Sequence, residues 1–177
     1  MRVVFTGGPG AGKTTLLNAL AAQGHAVVGE TARALIQSRR AQGLPPRPAP
    51  RAFAEAILAQ DIEKHRQHGA QGRVFFDRGV PDALGMLCEC EPSRRGEWIA
   101  RAARHPYHRQ AFFFPPWESI FQNDAERDQS FGHALRIYKP MMDWYLACGH
   151  QIVEVPRTSV VERCTFVLRA LDAAAGA

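Results

Sequence analysis

Apolar positions along the chain cluster in five short runs rich in β-branched or aromatic residues. They are Val3-Val4-Phe5, Ala26-Val27-Val28, Val74-Phe75-Phe76-Asp77, Ala111-Phe112-Phe113-Phe114 and Gln151-Ile152-Val153-Glu154-Val155. Runs of this length bounded by turn residues predict buried strands. Between them the apolar period changes to helical. Residues 13–23 place Leu16, Leu17, Leu20 and Ala21 on one face and stop at Gly24. Residues 30–42 carry Ala34, Leu35 and Ser38 on neighbouring turns, and residues 52–68 carry Phe53, Ile57 and Leu58. Residues 81–88 form a short helix with proline in its first turn, and residues 94–104 form an arginine-rich one. In residues 132–148, Leu135, Tyr138, Met141, Met142 and Tyr145 make an apolar stripe, and Pro140 is expected to kink the helix or mark a boundary. Ser159-Val160-Val161-Glu162 matches a capping box. It opens a last helix with Val160, Cys164, Val167, Leu168 and Leu171 turned inward.

Five strands alternating with helices predict an α/β fold, a five-stranded parallel sheet with helices on both faces. Four prolines in residues 43–50 exclude helix and central strand there and predict a stiff surface loop. Residues 117–132 mix charge and aromatics without a clear period and read as an insert or lid. With no internal repeat, residues 1–177 are expected to form a single domain, of a length that buries its core without disulfides.

Composition narrows the class. The chain is 46% hydrophobic and 22% charged, which excludes disorder. No run approaches the ~18 apolar residues of a membrane span. The N-terminus goes straight from Met1-Arg2 into a strand rather than a signal peptide. Cys88, Cys90, Cys148 and Cys164 show no paired C-x-x-C knuckle, so reduced thiols and a cytoplasmic location are expected. The net charge of +5 comes almost wholly from arginine, with lysine only at positions 13, 64 and 139. The basicity is scattered, which favours anionic ligands in general and counts against nucleic acid as a partner.

Gly7-Gly8-Pro9-Gly10-Ala11-Gly12-Lys13-Thr14 fits G-x-x-x-x-G-K-[ST] between a predicted strand and a predicted helix. A triphosphate tail needs many donors at short range. Glycines let the backbone wrap it, pointing N–H groups inward, and the helix start adds its positive dipole end. The nucleotide contacts are thus Gly8, Pro9, Gly10, Ala11, Gly12, Lys13, Thr14 and Thr15. Lys13 supplies a charge between the β- and γ-phosphates and Thr14 a hydroxyl for Mg²⁺. Asp77 ends the third strand, where ligands gather in parallel sheets. It can hold Mg²⁺ or act as a base; alternatively it caps a helix or pairs with Arg78 at the surface. Glu30 ends the second strand. It can accept a proton from a substrate hydroxyl or bond a sugar, or it simply complements a helix dipole.

On these residues the chain resembles P-loop NTPases of the nucleoside and nucleotide kinase group. It is more closely similar to small AAA-type predicted ATPases that look like nicotinamide riboside kinases. The matching positions are residues 7–15, Glu30-Thr31-Ala32-Arg33, Phe76-Asp77-Arg78-Gly79 and Glu126-Arg127-Asp128. The resemblance implies a phosphate-loop strand in mid-sheet, a mobile lid, and ATP with Mg²⁺ as cofactors. It implies a carboxylate meeting the acceptor hydroxyl, Arg78 touching a phosphate or the acceptor, and Arg127, then Arg136, closing from the lid. Arg157, after the fifth strand, matches a loop that lies over adenine. No N-K-x-D guanine-reading signature follows the fourth strand, and no arginine-finger or sensor module follows the core.

The expected activity is ATP/Mg²⁺-dependent phosphoryl transfer to a small-molecule acceptor, a nucleoside, nucleotide or cofactor-like hydroxyl. The alternative is a nucleotide-switched regulatory ATPase or GTPase acting through a protein partner; nucleic-acid binding ranks last. Weaker signals are His105 and His108, three apart without a third metal ligand, and Trp117, Phe121 and Phe131, which either stack on a ring or pack the lid.

Overall fold

A computed structural model describes residues 1–69, 72–121 and 130–175. Five strands, β1 (Arg2–Gly7), β2 (Ala26–Val28), β3 (Val74–Asp77), β4 (Gln110–Phe114) and β5 (Gln151–Glu154), pair in the order β2-β3-β1-β4-β5. Every pairing is parallel. The helices are α1 (Lys13–Ala22), α2 (Thr31–Ala41), α3 (Pro50–Gln67), α4 (Val80–Cys90), α5 (Arg95–Ala102), α6 (Phe131–Ala147) and α7 (Val160–Ala175).

The central strand explains the sandwich. Val3, Val4 and Phe5 are all fully buried, because a parallel strand in mid-sheet has helices on both sides. Alternation then assigns faces. Val3, Phe5, Phe75, Phe112 and Phe114 pack with Leu16 and Leu20 of α1 and Val167 and Leu171 of α7. Val4, Ala111 and Phe113 pack on the other face with Phe53 and Ile57 of α3, Leu84 and Leu87 of α4, Trp98 of α5 and Tyr145 of α6. Phe5 is the hub of the first face, its ring centroid 5.5, 5.8 and 5.2 Å from those of Phe75, Phe112 and Phe114.

Four local details differ from the sequence-based reading or refine it. α3 begins at Pro50, two residues early, since a proline at the first helical position lacks only an N–H that would be unbonded anyway. α6 runs unbroken through Pro140, so that proline is no boundary. Leu135, expected in the inward stripe of α6, is 54% exposed; Ala134 is the buried residue, because only a small side chain fits against the phosphate loop. The capping box is present: Glu162 N donates to Ser159 Oγ at 3.3 Å and Ser159 N to Glu162 Oε2 at 3.1 Å. Among the described residues no helix is long and apolar enough to cross a membrane.

Candidate active site

The glycine-rich turn joins β1 to α1 at the carboxyl edge of the sheet. Gly7 takes φ +133° with its Cα so close to the Phe114 carbonyl that a Cβ would collide with backbone. Gly8 meets α6, where a Cβ would lie 2.9 Å from Ala134 Cβ. Gly12 has φ +82° and leads into the first turn of α1. The loop is therefore held from β4 and α6 at positions only glycine can fill. Lys13 is 4% exposed, and its Nζ donates to the carbonyls of Gly7 at 3.1 Å and Gly8 at 2.9 Å. The ammonium thus lies over the loop, within its own cradle.

Asp77 is brought to the loop by strand register: it lies opposite Phe5, two residues before Gly7. Thr14 Oγ1 donates to Asp77 Oδ2 at 3.0 Å. Its other oxygen, Oδ1, is buried without a hydrogen-bond partner. Burial raises the carboxyl pKa, against the pull of the Lys13 charge. Asp77 does not cap α4, whose N-cap is Gly79, and at 4% exposure it is no surface pair. A hydroxyl and a half-satisfied carboxylate beside a phosphate cradle form an oxygen donor set that fits Mg²⁺, a cation held by few protein ligands plus substrate phosphates. Among the described residues no group of three His, Cys, Asp or Glu could hold a metal ion.

Arg78 follows in a left-handed conformation, φ +66°, unfavourable for a residue with a Cβ. That turn lets its guanidinium reach three elements at once. Nε donates to Glu30 Oε1 at 3.1 Å, Nη1 to Asp82 Oδ1 at 3.3 Å and Nη2 to the Gly7 carbonyl at 2.9 Å. Burial works against its charge, yet Glu30, Asp82 and Asp77 together hold its pKa above the usual value. Glu30 is the N-cap residue of α2 but makes no capping bond with its side chain, which turns to Arg78 instead.

Sequence reasoning missed Asp82, which ties this group to the core. It accepts from Thr6 Oγ1 at 2.5 Å, Tyr145 OH at 2.6 Å and Gly79 N at 3.0 Å, besides Arg78. It also missed Asp61, buried on α3. Asp61 Oδ1 accepts from Thr31 Oγ1, and Oδ2 is buried without a hydrogen-bond partner. Desolvation lifts its pKa to about 7, with the Thr31 hydrogen bond opposing. Lys64, one turn on, donates to Gly29 O at 2.7 Å and Thr31 Oγ1 at 2.8 Å, fixing the turn that presents Glu30. These carboxylates come from separate helices, so only the composition of each helix face hinted at them.

Lys13, Glu30, Arg78, Asp61 and Asp82 line one cavity of about 490 Å³. Ile36, Phe53, Ile57, Met86 and Trp144 supply apolar wall. Trp144 is fixed by its Nε1 donating to the Pro81 carbonyl at 2.8 Å. An apolar slot with a few convergent polar groups at one end is the form of a small-molecule site.

The remaining expected residues lie elsewhere. Arg157 is exposed, and its Nε donates to the Pro116 carbonyl at 3.1 Å, bridging the ends of β4 and β5. Arg136 is exposed on α6. Glu126, Arg127 and Asp128 lie outside the described residues. Of the expected lid, residues 117–132, the structure describes the two ends. Phe121 packs over Gly10 and edge-on to Phe131, their ring centroids 5.4 Å apart.

A glycine-rich phosphate loop between the central strand of a parallel β2-β3-β1-β4-β5 sheet and the following helix is the P-loop nucleotide-binding architecture. The chain belongs to the AAA domain family, whose model matches residues 2–163. No curated protein matches it. Among solved structures it is similar to deoxyadenosine kinase from M. mycoides with products dCMP and a flexible dCDP bound. The TM-score is 0.72 at 11% identity, covering 98% of this chain and 100% of that one. It is also similar to thymidylate kinase from Candida albicans, with TM-score 0.67, 13% identity and coverage of 97% and 91%. A third similar structure is NadR protein in complex with NR, with TM-score 0.71 and 15% identity, covering 99% of this chain and 51% of that one.

Proposed function

We propose that the protein is a kinase that transfers the γ-phosphoryl group of ATP, with Mg²⁺, to a hydroxyl of a small acceptor bound in the cavity beside Glu30. The observation that carries this reading is the shared wall. Lys13 belongs both to the phosphate loop and to the lining of the 490 Å³ cavity, together with Glu30 and Arg78. A donor phosphate on the loop and an acceptor in the cavity would therefore meet at one point, which is what in-line transfer needs.

Each side chain then has a chemical task. The backbone of Gly8, Pro9, Gly10, Ala11, Gly12, Lys13, Thr14 and Thr15 cradles the polyphosphate. Lys13 exchanges the loop carbonyls for phosphate oxygens. Thr14 and Asp77 are the residues that would hold Mg²⁺, which when bound would supply charge neutralisation for the polyphosphate. Glu30 accepts the proton of the attacking hydroxyl, and Arg78 orients Glu30 while offering its charge to the transferring group. The acceptor class follows deoxyadenosine kinase, thymidylate kinase and the NR-bound NadR protein, namely a nucleoside or nucleotide. Apolar walls at Phe53, Ile57 and Trp144 suit a planar ring. We place this activity in the cytoplasm, where ATP is supplied and the free cysteines stay reduced.

Incubating the protein with ATP, Mg²⁺ and a panel of nucleosides and nucleotides, read by mass spectrometry, tests the reading. One acceptor should gain a single phosphoryl mass with matching ADP release. ADP release that no acceptor stimulates, without a phosphorylated product, would sink it.

A further inference from the structure

Arg163, in the first turn of α7, is 4% exposed. Its guanidinium stands against the phosphate loop: a Cβ on Gly12 would fall 2.8 Å from Nη1. One face of the group lies over Trp117, with Cζ 5.4 Å from the ring centroid. Its Nε is buried and makes no hydrogen bond, and among the described residues no carboxylate is found acting on its charge. Burying a guanidinium without a counter-charge is unfavourable, so a buried cation of this kind marks a place where an anion is expected.

The position indicates which anion. α7 packs with α1 on the sheet face opposite the acceptor cavity. Arg163 does not line that cavity, whereas Lys13, Glu30 and Arg78 do. With its γ-phosphate at the cavity, a nucleotide on the loop would leave its other phosphates to the rest of the loop, which Gly12 closes at the start of α1. We propose that Arg163 is a second cationic contact to the donor nucleotide, binding the diphosphate that leaves with ADP, with Trp117 holding the guanidinium in place. The inference rests on the reading of the loop as a nucleotide site. It adds a charge that phosphoryl transfer can use, because negative charge builds on the leaving diphosphate. Arg157, which also follows β5, is exposed and donates to the Pro116 carbonyl rather than standing against the phosphate loop.

Calorimetric titration of the wild type, Arg163→Met and Arg163→Lys with ADP, ATP and inorganic tripolyphosphate tests it. Arg163→Met should weaken all three by about 10- to 100-fold, the range of one charge-assisted contact, and Arg163→Lys should recover part of the loss. The melting temperature of ligand-free Arg163→Met should hold or rise, since an unpaired buried charge has been removed; a purely structural arginine would lower it. Wild-type affinity for tripolyphosphate in Arg163→Met, whether or not ATP binding falls, overturns the proposal; a fall for ATP alone assigns the cation to the base. If Arg163→Met does not fold, the Arg163 Nε–Hε resonance of the wild type should shift on saturation with tripolyphosphate, and no shift overturns the proposal. A wild type that binds neither ATP nor tripolyphosphate refutes the nucleotide-site reading itself, a result distinct from either outcome for Arg163.

Discussion

Replacing Asp61 by asparagine tests the electrostatics of the cavity beside Glu30 most directly. Burial raises the Asp61 pKa from 3.8 to about 7. A carboxyl whose pKa rises on folding binds its proton more tightly in the folded state. Below about pH 4 it costs nothing, between the two pKa values stability falls as pH rises, and above pH 7 the full penalty is present. At roughly 1.4 kcal/mol per unit, a rise of about three units amounts to about 4 kcal/mol at high pH, of which roughly 2–3 kcal/mol develops between pH 5 and 8. A neutral amide in place of the carboxyl would carry no such penalty at any pH. The other effects of the substitution, such as an altered bond to Thr31 Oγ1, are independent of pH and cancel when the two pH values are compared. Urea unfolding of both proteins at pH 5 and pH 8 should therefore show Asp61→Asn gaining about 2–3 kcal/mol on the wild type between the two conditions. An equal difference at both pH values would refute the argument, for it would mean that Asp61 ionises in the fold as readily as in the unfolded chain.

Three further outcomes are expected. Lys13→Ala should weaken ATP binding about 10- to 100-fold by calorimetry, the range of charged hydrogen bonds, with an unchanged circular dichroism spectrum; equal affinity would remove the loop assignment. Asp77→Asn should retain ADP binding while turnover falls by about 100-fold or more and its Mg²⁺ dependence changes; a wild-type metal titration would leave Asp77 as a structural partner of Thr14. Ser159→Ala should cost about 1 kcal/mol in chemical denaturation through loss of the capping box, without altering nucleotide affinity.

What could be read from the sequence divides along physical lines. Residues 7–14 announce themselves because a phosphate cradle needs a fixed spacing within one local turn. Asp77 and Glu30 were visible because strand ends in a parallel sheet converge on one edge, so position along the chain implies position in space. Asp61, Asp82 and Arg163 gave no such sign. Asp61 meets Thr31 across 30 residues, and Asp82 meets Thr6 and Tyr145 across 76 and 63. Periodicity predicts that a helix has an inner face but not which polar residue on it will be enclosed. The exchange of Leu135 for Ala134 has the same origin: the close approach of Gly8 to α6 is a tertiary fact.

The arrangement around Arg78 explains why the two halves of the site would act together. Its guanidinium holds a carbonyl of the phosphate loop, the Glu30 carboxylate and the Asp82 carboxylate that anchors α4. Lysine could not span all three, because a point charge lacks the planar fork. The left-handed turn at Arg78 is unfavourable by about 1 kcal/mol or more, and its retention shows that the three contacts over-determine it. Arg78→Gly would relieve that backbone and release Glu30 from the loop. The expected result is a marked loss of stability, about 3 kcal/mol, because Asp82 and Glu30 are left without their counter-charge and the strain relief of about 1 kcal/mol offsets only part of it, together with a large loss of turnover. If Arg78→Gly turned over substrate at the wild-type rate, the link between donor loop and acceptor carboxylate would have no part in the reaction, and Glu30 would have to be positioned by α2 alone.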